Sequence, residues 1–184
     1  VNGSERIAVP KVGFEDRSLT LEIDYYDSVI RARLNAAGDR LDGTWEKALS
    51  KGRKRRMQFH ASKGAARFPP PVNAGLKPRP KTASFGGRWA VQFEKDKQGA
   101  VGVFEDLGAH KVIGTFLTTL GDYRYLAGVR YGQTMQLSCF DGAHAFLFTV
   151  KLSGSDKIRG DFWSSDSWHE TFSGRRDPHA KLPD

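Results

Sequence analysis

Four residues in one short stretch carry side chains suited to nucleophilic or acid–base chemistry: Ser138, Cys139, Asp141 and His144. A serine or cysteine nucleophile needs a histidine base that is held by a carboxylate, and the fold rather than closeness in sequence creates that arrangement. Asp141 precedes a glycine between two apolar runs, which is the pattern of a β-hairpin turn. The sequence therefore favours a structural role over a hydrolase-type enzyme that uses His144 with Asp141 or Asp122.

A second cluster of polar and aromatic residues is a candidate ligand or partner site. Strict strand alternation would place Tyr123 and Tyr125 on one face and Arg124 on the other. With Phe146 and Phe148, the two tyrosines would then line a cavity for a small apolar ligand. In the structural alternative, the tyrosine rings belong to the core and their hydroxyls lie at its rim. The candidate ligand- or partner-binding residues, of which the last two are expected as exposed aromatics, are Asp122, Tyr123, Arg124, Tyr125, Asp141, His144, Trp163 and Trp168.

Positive charge is concentrated in one segment. The formal net charge is +8, yet residues 47 to 93 hold 12 lysines or arginines and no aspartate or glutamate. The candidate anion-binding residues are Arg53, Lys54, Arg55 and Arg56. A charged hairpin tip that keeps an edge strand from pairing with other chains is the simpler interpretation, and contact with an anionic membrane or cell wall is an alternative. Few aromatic residues accompany the run, so nucleic acid is not the expected partner.

Cysteine and histidine usage excludes several kinds of site. Cys139 is the single cysteine, so an internal disulfide, a C-x-x-C redox pair and a cysteine zinc cluster are all excluded. Its alternation with apolar residues predicts a small buried side chain. The five histidines lack the short spacings of zinc sites. We expect no metal and no cofactor.

The elements that would position these residues are short strands. Apolar residues recur with period two, helical periodicity is almost absent, and the connections are too short for the crossover helices of a parallel sheet. We predict an all-β antiparallel meander that forms a barrel or a strongly coiled sandwich of the streptavidin or lipocalin type. The predicted strands are residues 6–12, 18–25, 28–34, 40–47, 54–60, 87–94, 99–106, 111–119, 123–131, 134–140, 143–151, 157–164 and 168–175.

An apolar-x-Gly-x-aromatic element recurs five times, with its rings at Trp45, Trp89, Phe104, Phe116 and Phe162. In a strand the glycine and the ring share a face, so we expect the glycine to let a neighbouring backbone or ring approach closely. Four of these rings, Trp45, Trp89, Phe116 and Phe162, are expected to build the core. The order of elements in residues 19–45 also parallels that in residues 135–162, which suggests a degenerate duplication with a shortened N-terminal copy.

A proline-rich segment separates two β-rich halves, because five of the eight prolines lie between residues 61 and 84. We expect an N-terminal β half at residues 1–60, a basic linker or strap at 61–84 and a C-terminal β-barrel half at 85–184, packed as one compact unit. No apolar run approaches the ~18 residues of a spanning helix. The start has no signal-peptide layout and no methionine, which predicts a processed or excised piece of a longer protein.

Several segments of the chain carry a family resemblance: GTFLTTLGDYRYLAG (114–128), LSCFDGAHAFLF (137–148) and IRGDFWSSDSWHETFSGRRDPHAKLPD (158–184), with VNGSERIAVP, YYDSVIRARL and LDGTW in the first half. They resemble the β-rich N-terminal region of bacterial TlpA-like thiol-disulfide oxidoreductases. The resemblance implies an exported protein of the periplasm or cell envelope. It also implies that a thioredoxin-like domain would follow the Leu-Pro-Asp at 182–184.

The catalytic motif of that family, W-C-x-x-C, has no counterpart in this sequence. No catalytic residue is therefore carried over, and Cys139 cannot replace the motif. The function that the resemblance implies is a non-catalytic accessory module, which binds a protein partner or substrate or positions a covalently linked thioredoxin-like domain.

Overall fold

The computed structural model describes residues 7–64 and 84–183. Within these ranges the chain forms fourteen β-strands and two single-turn 3₁₀ helices, at Asp24–Tyr26 and Ser50–Gly52. All strand pairs are antiparallel, which confirms the prediction of an all-β antiparallel fold. Contacts divide the described residues into two compact units, one made of residues 7–64 with Asp141–His144 and the other of residues 84–140 with 145–183.

The first unit contains an open five-stranded meander. Its strands, in spatial and sequence order, are β1 (Lys11–Glu15), β2 (Ser18–Ile23), β3 (Ser28–Leu34), β4 (Arg40–Ala48) and β5 (Lys54–Ser62). Asp16 and Arg17 both have positive φ, at 45° and 65°, as a two-residue hairpin turn requires. The predicted first strand at residues 6–12 is wrong in position, because β1 begins after Pro10, which lacks the amide hydrogen that a ladder needs.

The second unit contains a closed barrel. Its strands are β6 (Gly87–Phe93), β7 (Ala100–Gly108), β8 (Lys111–Thr118), β10 (Leu126–Tyr131), β11 (Thr134–Phe140), β12 (Ala145–Ser153), β13 (Lys157–Ser164) and β14 (Trp168–Arg176), and the two-residue β9 (Gly121–Asp122) extends the edge of β8. Sequential strands pair in order, β14 pairs with β6, and β8 pairs with β10, so eight strands close on themselves. The barrel alternative is thereby confirmed, and the sandwich is excluded.

Aromatic rings fill the barrel. Phe148 stacks on Phe116 and on Phe162, with ring centroids 4.7 and 4.5 Å away, and all three side chains are buried. Trp89 is also fully buried here, and Trp45 is buried in the five-stranded sheet. The prediction that these rings build the core is confirmed.

Arg176 and Trp89 seal one end of the barrel. The guanidinium carbon of Arg176 lies 4.2 Å from the centre of the Trp89 ring, which is a cation–π contact, and its nitrogens donate to the carbonyl oxygens of Ser84 and Gly86. The Trp89 indole nitrogen donates to the carbonyl of Phe85 at 2.8 Å. The Trp89 indole nitrogen and the Arg176 guanidinium therefore both have hydrogen-bond partners.

Three of the five glycines of the recurring element sit where a side chain would collide with the backbone of the neighbouring strand. A Cβ atom on Gly43, Gly114 or Gly160 would lie 2.0, 2.3 or 2.3 Å from a carbonyl oxygen of the adjacent strand. At Gly160 the ring of Phe172 also approaches to 2.4 Å. Close approach of a backbone or a ring at these glycines is as predicted, and it lets the strands coil.

The two units share a strand register. In the sheet, one cross-strand row on β2, β3 and β4 is Leu21, Ile30 and Trp45. In the barrel, the corresponding row on β11, β12 and β13 is Leu137, Phe148 and Phe162. Gly43 lies two positions before Trp45, and Gly160 lies two positions before Phe162. Each glycine therefore falls in the next cross-strand row on the same face. These registers agree with the suggested duplication, which stays a prediction.

Most of the predicted linker at residues 61–84 lies outside the described residues, and its first two residues, Ala61 and Ser62, form the end of β5. The N-terminal VNGSER and the final Asp184 lie outside them as well. Among residues 7–64 and 84–183 there is no helix with the length and apolar character needed to cross a membrane.

Candidate functional site

The predicted cluster from Asp122 to Tyr125 is divided by the structure. Arg124 has a positive φ of 56°, and its amide donates to the Asp122 carboxylate at 2.8 Å, so the chain turns between β9 and β10. Tyr123 points into the barrel, whereas Tyr125 is 93% exposed. The prediction that the two tyrosines share one face is wrong, because the left-handed residue between them breaks the alternation. A cavity lined by both tyrosines does not form.

Tyr123 packs inside the barrel near Phe93 at the end of β6, whereas Trp89 lies near the start of that strand. Its ring lies against the rings of Phe146, Phe148 and Phe162, with centroids 5.2, 5.3 and 5.0 Å away. Burial, followed by the negative charge of Glu170, raises the pKa of Tyr123 to about 12. The phenol therefore stays protonated and packs as part of the core, which is the structural role weighed above for these rings.

Glu170 is a buried acid that the sequence pattern did not single out. It is 6% exposed, and its carboxylate accepts hydrogen bonds from the Trp168 indole at 2.9 Å and from the Lys95 amide at 3.0 Å. The Lys95 ammonium lies 4.3 Å from the centre of the Trp168 ring. Glu170 thus holds Trp168 in place, and Trp168 remains 45% exposed. In the sequence, the one signal for this position is strand alternation, which puts Glu170 on the same face as Phe172.

Trp163 lies on a different surface from Trp168. Its ring stacks on His169 on the outside of the barrel, with centroids 4.8 Å apart and planes at 15°. The His169 imidazole in turn contacts the Asp161 carboxylate at 3.0 Å. The two tryptophans therefore do not combine into one contact patch, because adjacent strand rows direct them to opposite faces.

Asp141 and His144 form a hairpin turn. The Asp141 carboxylate accepts hydrogen bonds from the amides of Ala143 at 2.8 Å and His144 at 2.7 Å, and it contacts the His144 ring nitrogen at 3.1 Å. Burial raises the pKa of Asp141, but these hydrogen bonds outweigh burial and hold the pKa below its ordinary value. Gly142 has a φ of 86°, as the predicted turn requires. Turn formation therefore explains each of these contacts.

The basic run at residues 53–56 is also divided. Lys54 and Arg56 lie on one face of β5, where they contact the Glu46 carboxylate at 3.5 and 2.5 Å. The hydrogen bond from Arg56 lowers the pKa of Glu46. Arg55 points to the other face, opposite Lys47. Alternation therefore divides the run between the two faces of β5, and Glu46 neutralises part of its charge.

An exposed apolar edge was not predicted. On β1, Val12 is 64% exposed and Phe14 is 59% exposed, and both share the face that carries Leu21 and Leu19 on β2. Among the described strands, β1 pairs with β2 alone, so its outer backbone groups face no ladder. The misplacement of this strand at residues 6–12 concealed the edge, although the alternation of Val12 and Phe14 around Gly13 could have indicated it.

No group of three or more metal-ligating side chains occurs in the part of the chain that the structure describes. The comparisons with known proteins are uninformative for this chain: no family model matches the sequence, and neither the curated proteins nor the solved structures include a match.

Proposed function

We propose that this chain is a non-catalytic accessory module of an envelope thiol-disulfide oxidoreductase, located in the periplasm or at the cell envelope. It recognises a protein partner, either a covalently linked thioredoxin-like domain or a protein substrate of that domain. The family and the compartment follow from the sequence resemblance alone, whereas the surface that performs recognition follows from the contacts of the five-stranded sheet.

The observation that carries the proposal is the exposed apolar edge of β1. In the barrel, β10 pairs with β11 on one side and with β8 on the other. In the sheet, β1 pairs with β2 in the same way, and no described strand occupies the other side. A protein strand that adds to this edge would gain main-chain hydrogen bonds and cover Val12 and Phe14.

The packed barrel supports recognition by an outer surface. Stacked rings fill its interior, Tyr123 covers one end, and Trp89 with Arg176 closes the other. Such an interior supports a rigid scaffold rather than a carrier of apolar ligands. Recognition by a surface edge therefore fits the architecture better than the ligand-binding alternative.

The proposal is tested in one polypeptide that joins this chain to a thioredoxin-like domain of a TlpA-like protein. Phe14→Asp places a charge on the apolar edge, and we expect it to lower the rate of reduction of a disulfide-bonded protein substrate about tenfold while leaving reduction of a small disulfide unchanged. Loss of one central apolar anchor typically has an effect of this size.

The matched control is Leu120→Asp, because Leu120 is also an exposed apolar residue, 95% exposed against 59% for Phe14, and lies at a turn of the barrel. It is expected to leave both rates unchanged. If Phe14→Asp and Leu120→Asp behave alike on the protein substrate, β1 is not the recognition surface and the proposed function fails.

A further inference from the structure

We propose that the outer face of the barrel on β12, β13 and β14 binds an anionic saccharide, a sugar unit that carries phosphate, sulfate or carboxylate groups. This inference is independent of the accessory function, since it concerns a different unit and a different surface. It rests on a cationic cavity, on unneutralised like-charge pairs, and on an adjoining cavity of hydroxyl, amide and carboxylate groups.

The cationic cavity has a volume of about 550 Å³. Small residues line it at Gly99, Ala100 and Gly174. Among the described residues, its walls include no aspartate or glutamate. Its cationic residues are Lys157, Arg159, Arg175 and Lys181.

Two pairs of cations occupy directly opposed positions on neighbouring strands. Lys157 lies directly opposite Arg175 on the neighbouring strand, and Lys151 lies directly opposite Arg159. Like charges in directly opposed positions of an antiparallel pair destabilise it. Within residues 7–64 and 84–183, none of these four side chains has a carboxylate in ion-pair range. A bound anion would relieve both repulsions at once.

The adjoining cavity supplies groups that suit sugar hydroxyls. It has a volume of about 720 Å³ and shares Gln92, Arg159 and Ser173 with the cationic cavity. Farther from the cationic cavity it is lined by Glu94, Asp161 and Thr171. Carboxylates, hydroxyls and amides are the donors and acceptors that orient a polyhydroxylated ligand.

An aromatic platform lies beyond Asp161. The stacked pair of Trp163 and His169 occupies the next cross-strand row, and Asp161 holds His169 through its imidazole. The face therefore changes in order from cationic, to a region of carboxylates and hydroxyls, to aromatic. Single-stranded nucleic acid is less well matched, because its sites interleave stacking rings with cations along the backbone, and here rings and cations are at opposite ends.

The test is a calorimetric titration of the chain with a sulfated uronic tetrasaccharide, compared with neutral maltotetraose, inorganic sulfate and a single-stranded oligonucleotide. We expect measurable binding of the sulfated saccharide, no binding of the neutral one, and at least tenfold weaker binding of sulfate alone. The double substitution of Arg159→Gln with Arg175→Gln is expected to weaken the saccharide about a hundredfold, since each lost charged contact accounts for roughly a factor of ten.

Thermal unfolding separates a lost site from a lost fold. Because the double variant removes like-charge repulsion, we expect its Tm without ligand to rise by about 2 °C. The control variant, Lys97→Ser with Lys111→Ser, removes two exposed cations elsewhere on the barrel and should bind the saccharide within twofold of the unmodified chain.

Three outcomes would overturn the proposal. Equal binding by the double variant and the control would show that net charge alone attracts the ligand. Sulfate binding as tight as that of the saccharide would show a simple anion site. Tighter, competing binding of the oligonucleotide would assign the face to nucleic acid. None of these outcomes bears on β1, so the accessory function would stand or fall separately.

Discussion

The barrel and the five-stranded sheet share a register but differ in closure. Strands β1 to β5 correspond in order to β10 to β14, and the barrel adds β6, β7 and β8 between β14 and β10. Among the described residues the sheet has no counterpart of those three strands. Its inward row at Leu21, Ile30 and Trp45 matches a fully buried row of the barrel, yet it ends at the exposed Val12.

This difference underlies the separate tasks that we propose for the two units. A closed barrel has no free strand edges, so it is rigid but offers no edge to a partner strand. An open sheet retains an edge and an apolar face, which are the two features that strand addition uses. We therefore propose that the barrel is the scaffold and carries the cationic cavity, and that the sheet provides the protein-recognition edge.

The largest contrast is expected from truncation of one phenylalanine in each unit. Phe116 is fully buried at the centre of the barrel, so Phe116→Ala should lower the free energy of unfolding by about 4 kcal/mol. Phe14 is mostly exposed, so Phe14→Ala should change it by less than about 0.5 kcal/mol. Urea unfolding followed by tryptophan fluorescence measures both. Comparable losses would mean that β1 is as buried as the barrel core.

Glycine substitutions sharpen the same contrast. Gly160→Ala should destabilise the chain by about 2 to 3 kcal/mol, because its Cβ would collide with the Thr149 carbonyl and the Phe172 ring. Gly13→Ala on β1 meets no atom within 4 Å, and we expect it to be neutral or slightly stabilising. Thermal unfolding of the two variants decides the matter, and a loss at Gly13 equal to that at Gly160 would contradict an open β1 edge.

The tyrosine plug gives the barrel a dependence on alkaline pH. The pKa of Tyr123 is raised from 10.0 to about 12 in the folded chain, so its stabilising contribution is complete below pH 10 and is lost as the pH rises through 12. By pH 11 we expect stability to fall by about 1 kcal/mol relative to Tyr123→Phe, after allowance for partial exposure of the ring. Urea unfolding at pH 9 and pH 11 compares the two, and an identical pH dependence would place the hydroxyl in solvent.

The smallest effect is expected on the charged face of the sheet. Glu46→Gln removes the partner of Arg56 and Lys54, but both cationic side chains are mostly exposed, so stability should fall only slightly. Chemical unfolding in low and high salt measures this difference. A clear loss that persists in high salt would mean that these ion pairs are structural.

Much of the fold follows from local patterns in the sequence. Period-two alternation and glycine or aspartate turns fix most strand positions within a few residues, and the recurring glycine before a ring marks the points where strands pack closely. Alternation fails at Arg124, because an arginine gives no warning of a left-handed backbone, and with it fails the predicted pairing of Tyr123 and Tyr125. At β1 the strand begins later than predicted, after Pro10, and ends at the two-residue turn.

The candidate sites are harder to predict, because they depend on register between distant segments. Arg53 to Arg56 are adjacent in sequence and yet separate onto two faces, with Glu46 supplied by another strand. The cations of the cationic cavity are spread between residues 157 and 181, and the pairing of β13 with β14 brings Lys157, Arg159 and Arg175 together. No local pattern in the sequence encodes that juxtaposition.

Hydrogen–deuterium exchange at β1 tests the central assignment most directly. The experiment uses the polypeptide that joins this chain to a thioredoxin-like domain. Without substrate, the amides of Lys11–Glu15 should exchange rapidly. When a trapped mixed disulfide holds the protein substrate in place, they should exchange at least tenfold more slowly. Barrel amides on β12 and β13 should not change. Unchanged exchange at β1, with protection appearing on the barrel instead, would contradict the division of tasks between the two units.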